Sequence, residues 1–168
     1  CFVSARTGAG VPELLEILTK LMPNPLEGNL HPFFKGEGRT DTPFPVTPDA
    51  SKHAVAHIFK VMADPFVGKV GIFRIHQGTI NNGSQLFIGD GRKPFKVSHL
   101  FKLQGKQQIE IEQGIAGDIC ALAKVDALQF DSVLHDSHDE DFIHIEPLTF
   151  PEPMYNLAIE VKKQGDEQ

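Results

Sequence analysis

From His53 to Ile145 the chain is a series of short alternating runs, each ended by glycine, proline, asparagine or aspartate. Such punctuation leaves no room for long helices. It writes strands, because side chains on a strand change face at every residue. Phe59, Val61 and Ala63 fall on one face of the first run, and Ile58, Lys60 and Met62 on the other. Asp64-Pro65 breaks it. Lys69–His76 follows, with Val70, Ile72 and Arg74 opposite Gly71, Phe73 and Ile75. Asn81-Asn82-Gly83 and Gly89-Asp90-Gly91 are tight-turn sequences on either side of a short strand at 84–88. Further strands are expected at 95–103, 109–112, 119–125, 131–134 and 142–145. Six or more short strands within roughly 95 residues predict a mainly-β fold, a closed antiparallel Greek-key-like β-barrel over residues 53–150.

The flanks read differently. Cys1-Phe2-Val3 opens the chain inside an apolar run without an initiating methionine, as a piece of a longer protein would, and Phe2-Val3 reads as the end of a buried strand. Residues 4–10 read as a loop and the stretch from Pro12 to Met22 as a helix. Pro12 suits its first turn, and Glu13 and Glu16 its positive end. Leu14, Leu15, Leu18, Leu21 and Met22 make one apolar face, and Pro23 and Pro25 stop the helix. Residues 1–25 are thus expected to be a strand–loop–helix unit. Residues 26–52 are rich in proline and glycine and read as a linker or surface wrap, with Phe33, Phe34 and Phe44 lying against something apolar. Residues 151–168 read as a junction leading into a further domain, whose first strand is expected at Met154–Val161.

Of the 168 residues, 40% are hydrophobic and 23% charged, enough apolar mass for a core. No apolar run approaches the ~18 residues that cross a bilayer, so no membrane partner is expected. Two cysteines, Cys1 and Cys120, are too few for a disulfide scaffold, and a cytoplasmic location is expected. The net charge is −6, but it is unevenly spread. Residues 66–109 hold Lys69, Arg74, Arg92, Lys93, Lys96, Lys102 and Lys106 against Asp90 alone, while residues 110–168 are strongly acidic. A basic island in an acidic chain attracts phosphates, and here it predicts one positive stripe on the barrel.

Enzyme-like patterns are wanting. His53 and His57 on a strand would share a face but lie ~13 Å apart, too far to share an ion, and read as surface histidines. The run His135-Asp136-Ser137-His138-Asp139-Glu140-Asp141 lacks the glycine and glutamate of a calcium loop and reads as a solvated acidic loop, with no metal expected. Cys120 lies in an apolar strand and reads as a core thiol. Gly8 and Gly10 do not complete a phosphate loop, because no Gly-Lys-Ser/Thr follows.

Phe59-Lys60-Val61-Met62-Ala63-Asp64-Pro65-Phe66-Val67-Gly68-Lys69, then Phe73-Arg74-Ile75, Gly78-Thr79-Ile80, Gly91-Arg92-Lys93 and Ile115-Ala116-Gly117-Asp118-Ile119 occur in order. Together these residues resemble a translational GTPase, elongation factor G or an elongation-factor-G-like paralogue; Leu103-Gln104-Gly105-Lys106-Gln107 is nearer the paralogue branch. Residues 1–25 are similar to the last strand and helix of that family's GTP-binding domain, residues 53–150 to its barrel-shaped second domain, and residues 151–168 to the junction into its third. The resemblance implies that Ser4-Ala5-Arg6 is a guanine-contacting loop. It implies that the barrel packs on the parent's GTP-binding domain and docks on small-subunit ribosomal RNA. The residues expected to meet phosphate are Lys69, Arg74, Arg92, Lys93 and Lys102, with Phe66, Val67 and Gly68 as a docking loop.

The same resemblance implies that GTP and Mg2+ belong to the parent protein. The phosphate loop and catalytic residues of the family are not among these 168 residues, so no catalytic residue, cofactor or enzyme activity is expected in this chain. In the parent, GTP hydrolysis would drive translocation or ribosome recycling. Rival readings are a barrel serving only as a protein-interaction scaffold, or the second domain of another translational GTPase: release factor 3, a ribosomal protection protein or the elongation factor 4 type. Phe66-Val67-Gly68 favours elongation factor G. Without a covering sheet, Leu14, Leu18 and Leu21 would pack on the barrel or pair between copies of the chain.

Overall fold

The computed structural model describes residues 1–25, 27–28, 31–36, 41–64, 67–105, 107–158 and 160. The described residues form a helix, α1 (Val11–Leu21), and the strands β1 (Phe33–Lys35), β2 (Thr42–Phe44), β3 (Val55–Asp64), β4 (Gly68–Gln77), β5 (Thr79–Asn81), β6 (Gln85–Ile88), β7 (Phe95–Lys96), β8 (Leu100–Gln104), β9 (Gln107–Glu110), β10 (Gln113–Ile115), β11 (Ile119–Ala123), β12 (Val133–His135) and β13 (Ile143–Ile145).

Eight strands pair antiparallel in the order β7-β6-β12-β3-β4-β11-β8-β9. The β3–β4 hairpin is its spine. β11 and β12, consecutive in sequence, lie on opposite sides of that hairpin, which is the crossover of a Greek key. The sheet curls around its core, and β5 pairs with β10 beyond the end of β4. Among the described residues its two outer strands do not pair with each other: the mainly-β antiparallel Greek-key fold expected is present, curled into a half-barrel. Both edges show why. Pro94, with no N–H to give, precedes a β7 of only two residues, and β9 is exposed along its whole length.

The core is built by β3 (Ala56, Ile58), β4 (Phe73, Ile75), β6 (Leu86), β8 (Leu100), β11 (Cys120, Leu122) and β12 (Leu134), all buried. Leu128, on the segment joining β11 to β12, plugs the hairpin end. A Cβ on Gly71 would lie 2.7 Å from the Leu128 Cδ1, so a side chain at that strand position would require the Leu128 side chain to shift. The strict alternation expected for β3 fails at two points, the first between Val55 and Ala56. A register shift between Ile58 and Lys60 puts both Ile58 and Val61 on the core and leaves Phe59 and Lys60 outside. One extra residue in a strand reverses every face beyond it. On the outer side, Val70 and Ile72 pack with Ala121 and Ala123 under Val67, Phe101 and Leu103.

The stretch read as a linker wraps the sheet, and it does so as a strand layer. β1 pairs with β13 on one side and β2 on the other. Phe33, 2% exposed, packs with Val55, Val133 and Ile143. Residues 26, 29–30 and 37–40 of that stretch lie outside the described residues. The long strand expected at 95–103 is divided into β7 and β8. No strand forms among the described residues after β13, and Ile159 and Val161 of the strand expected at Met154–Val161 lie outside them.

The N-terminal unit is uncovered. Phe2 is fully exposed and Val3 half exposed, so the buried strand end expected there is solvent-facing in this structure. No side chain of α1 is buried, and Leu15, Ile17, Leu18 and Leu21 are exposed. The helix starts on Gly10 with φ 74°, where a Cβ would stand 2.1 Å from the Phe2 carbonyl oxygen.

Candidate nucleic-acid interface

Of the basic side chains predicted to form one stripe, Lys69 and Arg74 lie toward opposite ends of the β4–β11 pair, and Lys106 lies outside the described residues. Lys69 is the second residue of β4, at the hairpin end, opposite Ala63 of β3 and next to Val70, which pairs with Ala123 of β11. Its Nζ donates to the carbonyl oxygen of Asp126 at 2.8 Å, on the segment that caps that end. Arg92 and Lys93 are exposed on the turn from β6 to β7. They line a cleft of about 530 Å³ with Gly89, Asp90, Gly91, Phe95 and, from the same capping segment, Ala127, Gln129 and Ser132. Lys69, Arg92 and Lys93 therefore all border the capping segment. Lys124, not singled out from sequence, joins them by hydrogen-bonding its N–H to the Lys69 carbonyl at 3.2 Å. Its φ of 62° marks the turn, but nothing in the one-dimensional pattern could have placed it.

Arg74 and Lys102 lie toward the other end of the β4–β11 pair, with Arg74 in a cleft that adjoins that of Arg92 and Lys93 across residues 129–132. Arg74 is on the outer face of β4, between His57 of β3 and Ile119 of β11. Lys102 forms an ion pair with Asp118 at 3.0 Å. Asp118 is partly buried, which by itself opposes ionisation. The N–H of Ile115 and the Lys102 ammonium outweigh that and hold the carboxyl below its ordinary value, while the same pair raises Lys102. A lysine already neutralised by a partner is a poor phosphate ligand, and Lys102 is the weakest member of the predicted set. Cys120 beside it is a buried thiol, pushed up to about 11 by burial and then by Asp118.

Of the expected docking loop, Phe66 lies outside the described residues. Val67 is half-buried against the outer apolar cluster, and its N–H donates to Asp64 Oδ1 at 3.0 Å. Gly68 is exposed, with φ 77° and open space where a side chain would stand. The expected guanine loop is a compact turn. The Ser4 N–H donates to the Ala9 carbonyl at 3.0 Å, and the Ser4 carbonyl accepts from Gly8 at 2.8 Å. Ala5 and Arg6 are exposed at its tip.

A second cleft, of about 430 Å³, opens on the outer face. His31, His57, Phe59, Arg74, His76 and Phe130 line it, with Asp131, Ile145, Glu146 and Leu148. His57 Nε2 and Asp131 Oδ1 lie 2.8 Å apart across it. His76 is 9% exposed and rests edge-on against the Phe33 ring, centroids 4.9 Å apart. Burial, and then the charge of Arg74, lowers it to about 4, so it is neutral at pH 7. Its Nδ1 has no hydrogen-bond partner among the described residues. Arg74 and His76, two apart on one strand, could have been placed on one face from sequence; the aromatic walls from β3 and the 130 region could not.

The acidic histidine run is not wholly solvated as expected. His135 is fully buried on β12, its ring nitrogens 2.7 and 2.6 Å from the carbonyl oxygens of Ser137 and Gly89. His53 and His57 do not work together: they pair with Asp136 and Asp131 separately.

Residues 53–137 match the family described as elongation factor G domain 2. A crystal structure of a protein from Thermus thermophilus is similar at 25% identity, with a TM-score of 0.58. The similarity covers 85% of this chain and 19% of that one, so the chain spans about a fifth of that protein's length.

Proposed function

The chain belongs to the elongation factor G domain 2 family, and from that premise we propose that its half-barrel docks a ribosome-associated translation factor onto small-subunit ribosomal RNA. The observation that carries this reading is the convergence of Lys69, Arg92 and Lys93 on the segment capping the hairpin end. Cations on a glycine-rich turn can approach a sugar–phosphate backbone closely, and contacts of that kind position a protein without reading sequence. Val67 and Gly68, at the tip of the β3–β4 hairpin, extend the same end.

Docking of this sort is mechanical. The half-barrel anchors the factor while the nucleotide state of the parent's GTP-binding domain is passed on through it, in translocation or in recycling of cytoplasmic ribosomes. GTP and Mg2+ are held in that parent domain. Ser4-Ala5-Arg6 is its guanine-side loop, and this chain is no enzyme on its own. A calorimetric titration of the chain with GTP–magnesium is expected to show no micromolar binding; micromolar binding would contradict that assignment.

The direct test is co-sedimentation with purified small ribosomal subunits at low salt. The chain is expected to pellet with them, and the double variant Arg92→Ala/Lys93→Ala to bind about tenfold more weakly or less. A chain that stays in the supernatant, or a double variant that pellets as well as the parent sequence, would overturn the proposal.

A further inference from the structure

The two clefts are neighbours, and one short piece of backbone divides them. Along the capping segment Gln129 and Ser132 line the cleft of Arg92 and Lys93, while Phe130 and Asp131 line the cleft of Arg74 and His76. The dividing segment is held in place. Asp131 adopts φ 69°, unusual for a residue with a side chain; its N–H donates to the Ile58 carbonyl at 2.8 Å and its carboxylate faces His57.

The clefts differ in chemistry. The first offers two exposed cations and a glycine-rich turn. The second offers two exposed rings, Phe59 at 39% and Phe130 at 48%, beside the Arg74 guanidinium and the neutral His76, whose Nδ1 is unpartnered among the described residues. The carboxylates of Asp131 and Glu146 make this second cleft hostile to phosphate. They do not oppose a neutral heterocycle, whose exocyclic amino group can donate to such oxygens. Aromatic faces with a guanidinium and a few hydrogen-bonding groups suit an unstacked base of single-stranded RNA.

We propose that the cleft of Phe59, Phe130, Arg74 and His76 takes one splayed base of an RNA strand whose backbone lies in the adjoining cleft of Arg92 and Lys93. This rests on the ribosomal RNA reading and adds to it a stacking contact beside the phosphate contacts. The base leaves the strand where residues 129–132 separate the clefts.

The test uses a single-stranded ten-nucleotide oligoribonucleotide carrying one 2-aminopurine, and the same oligonucleotide with an abasic position in its place. Binding is expected to change the 2-aminopurine fluorescence. Phe59→Ala and Phe130→Ala, both at exposed rings, are each expected to weaken binding about fivefold or more. They should leave the dependence on salt unchanged, and the abasic oligonucleotide should bind the parent sequence as weakly as the intact one binds these variants. Arg92→Ala should instead flatten the salt dependence. Equal binding of the abasic oligonucleotide, or full binding by both phenylalanine variants, would overturn the base site and leave ribosomal docking standing if Arg92→Ala still weakens binding. Ribosomal subunits bound without any oligonucleotide binding would likewise overturn the base site alone. Loss of both would remove the base site and the docking proposal together.

Discussion

The half-barrel and the N-terminal helix are written in similar apolar residues, yet one buries them and the other does not. Phe73, Ile75, Leu100 and Leu134 are wholly enclosed by neighbours drawn from the same hundred or so residues. Leu15, Leu18 and Leu21 repeat at helical spacing with equal clarity and stay exposed. Periodicity tells which face of an element is apolar; it does not tell whether the chain supplies what covers that face. A strand finds its partner through backbone hydrogen bonds with neighbours in the sheet, while a lone helix has satisfied its own and needs a second surface.

The largest test of this contrast is a pair of truncations. Phe73→Ala is expected to cost about 3–5 kcal/mol of unfolding free energy, whereas Leu18→Ala should stay within about 0.5 kcal/mol. Urea denaturation followed by circular dichroism reads both. Comparable losses would mean that the helix packs in solution on something that the structure leaves open.

The outer cleft gives a test within the half-barrel. His76 is held near 4, below the ordinary 6.5, because it is buried. Between those values the unfolded chain binds a proton that the folded chain refuses. The contribution is therefore complete above pH 6.5 and is lost as the pH falls toward 4, by up to about 3 kcal/mol. Stability curves at pH 7 and pH 4.5 for the parent sequence and for His76→Phe should show the parent losing more on acidification. A parent sequence no more acid-sensitive than His76→Phe would show that the ring is accessible to water.

Gly78 probes how tightly the sheet folds on the wrapping segment. It has φ 74°, and a Cβ there would meet the Ala54 Cα at 2.5 Å. Gly78→Ala should cost about 1–3 kcal/mol, measured by thermal unfolding. Gly83→Ala, at φ 89° but with open space around it, should cost less. Equal losses would assign the whole effect to backbone strain. The smallest effect is expected from the Lys102–Asp118 pair: Lys102→Met should change stability by no more than about 1 kcal/mol, since nearly half of that lysine is exposed. It should also leave RNA binding almost unchanged, in contrast to Arg92→Ala.

Much of the sheet was legible because alternation and turn chemistry act locally. β4, β6 and β11 fall within a residue or two of the runs that announce them, and Asn81-Asn82-Gly83 and Gly89-Asp90-Gly91 mark turns as read. What local patterns miss is whatever distant residues decide. The register shift at Ile58 is set by pairing with β4, and the strand character of Phe33–Lys35 by β13, more than a hundred residues away. The basic island was visible as composition, but its division was not. Lys69 and Arg92 both border the 124–132 segment only because it returns across the hairpin end, and Lys102 is paired with Asp118. The outer cleft gathers side chains from five separate stretches of the chain, so no motif could announce it.

The most direct measurement is the affinity of the chain for small-subunit ribosomal RNA as a function of salt. With Lys69, Arg92 and Lys93 each meeting a phosphate, log affinity should fall by about 2–3 units per tenfold rise in salt, and Arg92→Ala/Lys93→Ala should remove most of that slope. A slope near zero, or one that survives the double substitution intact, would contradict docking through this end of the half-barrel.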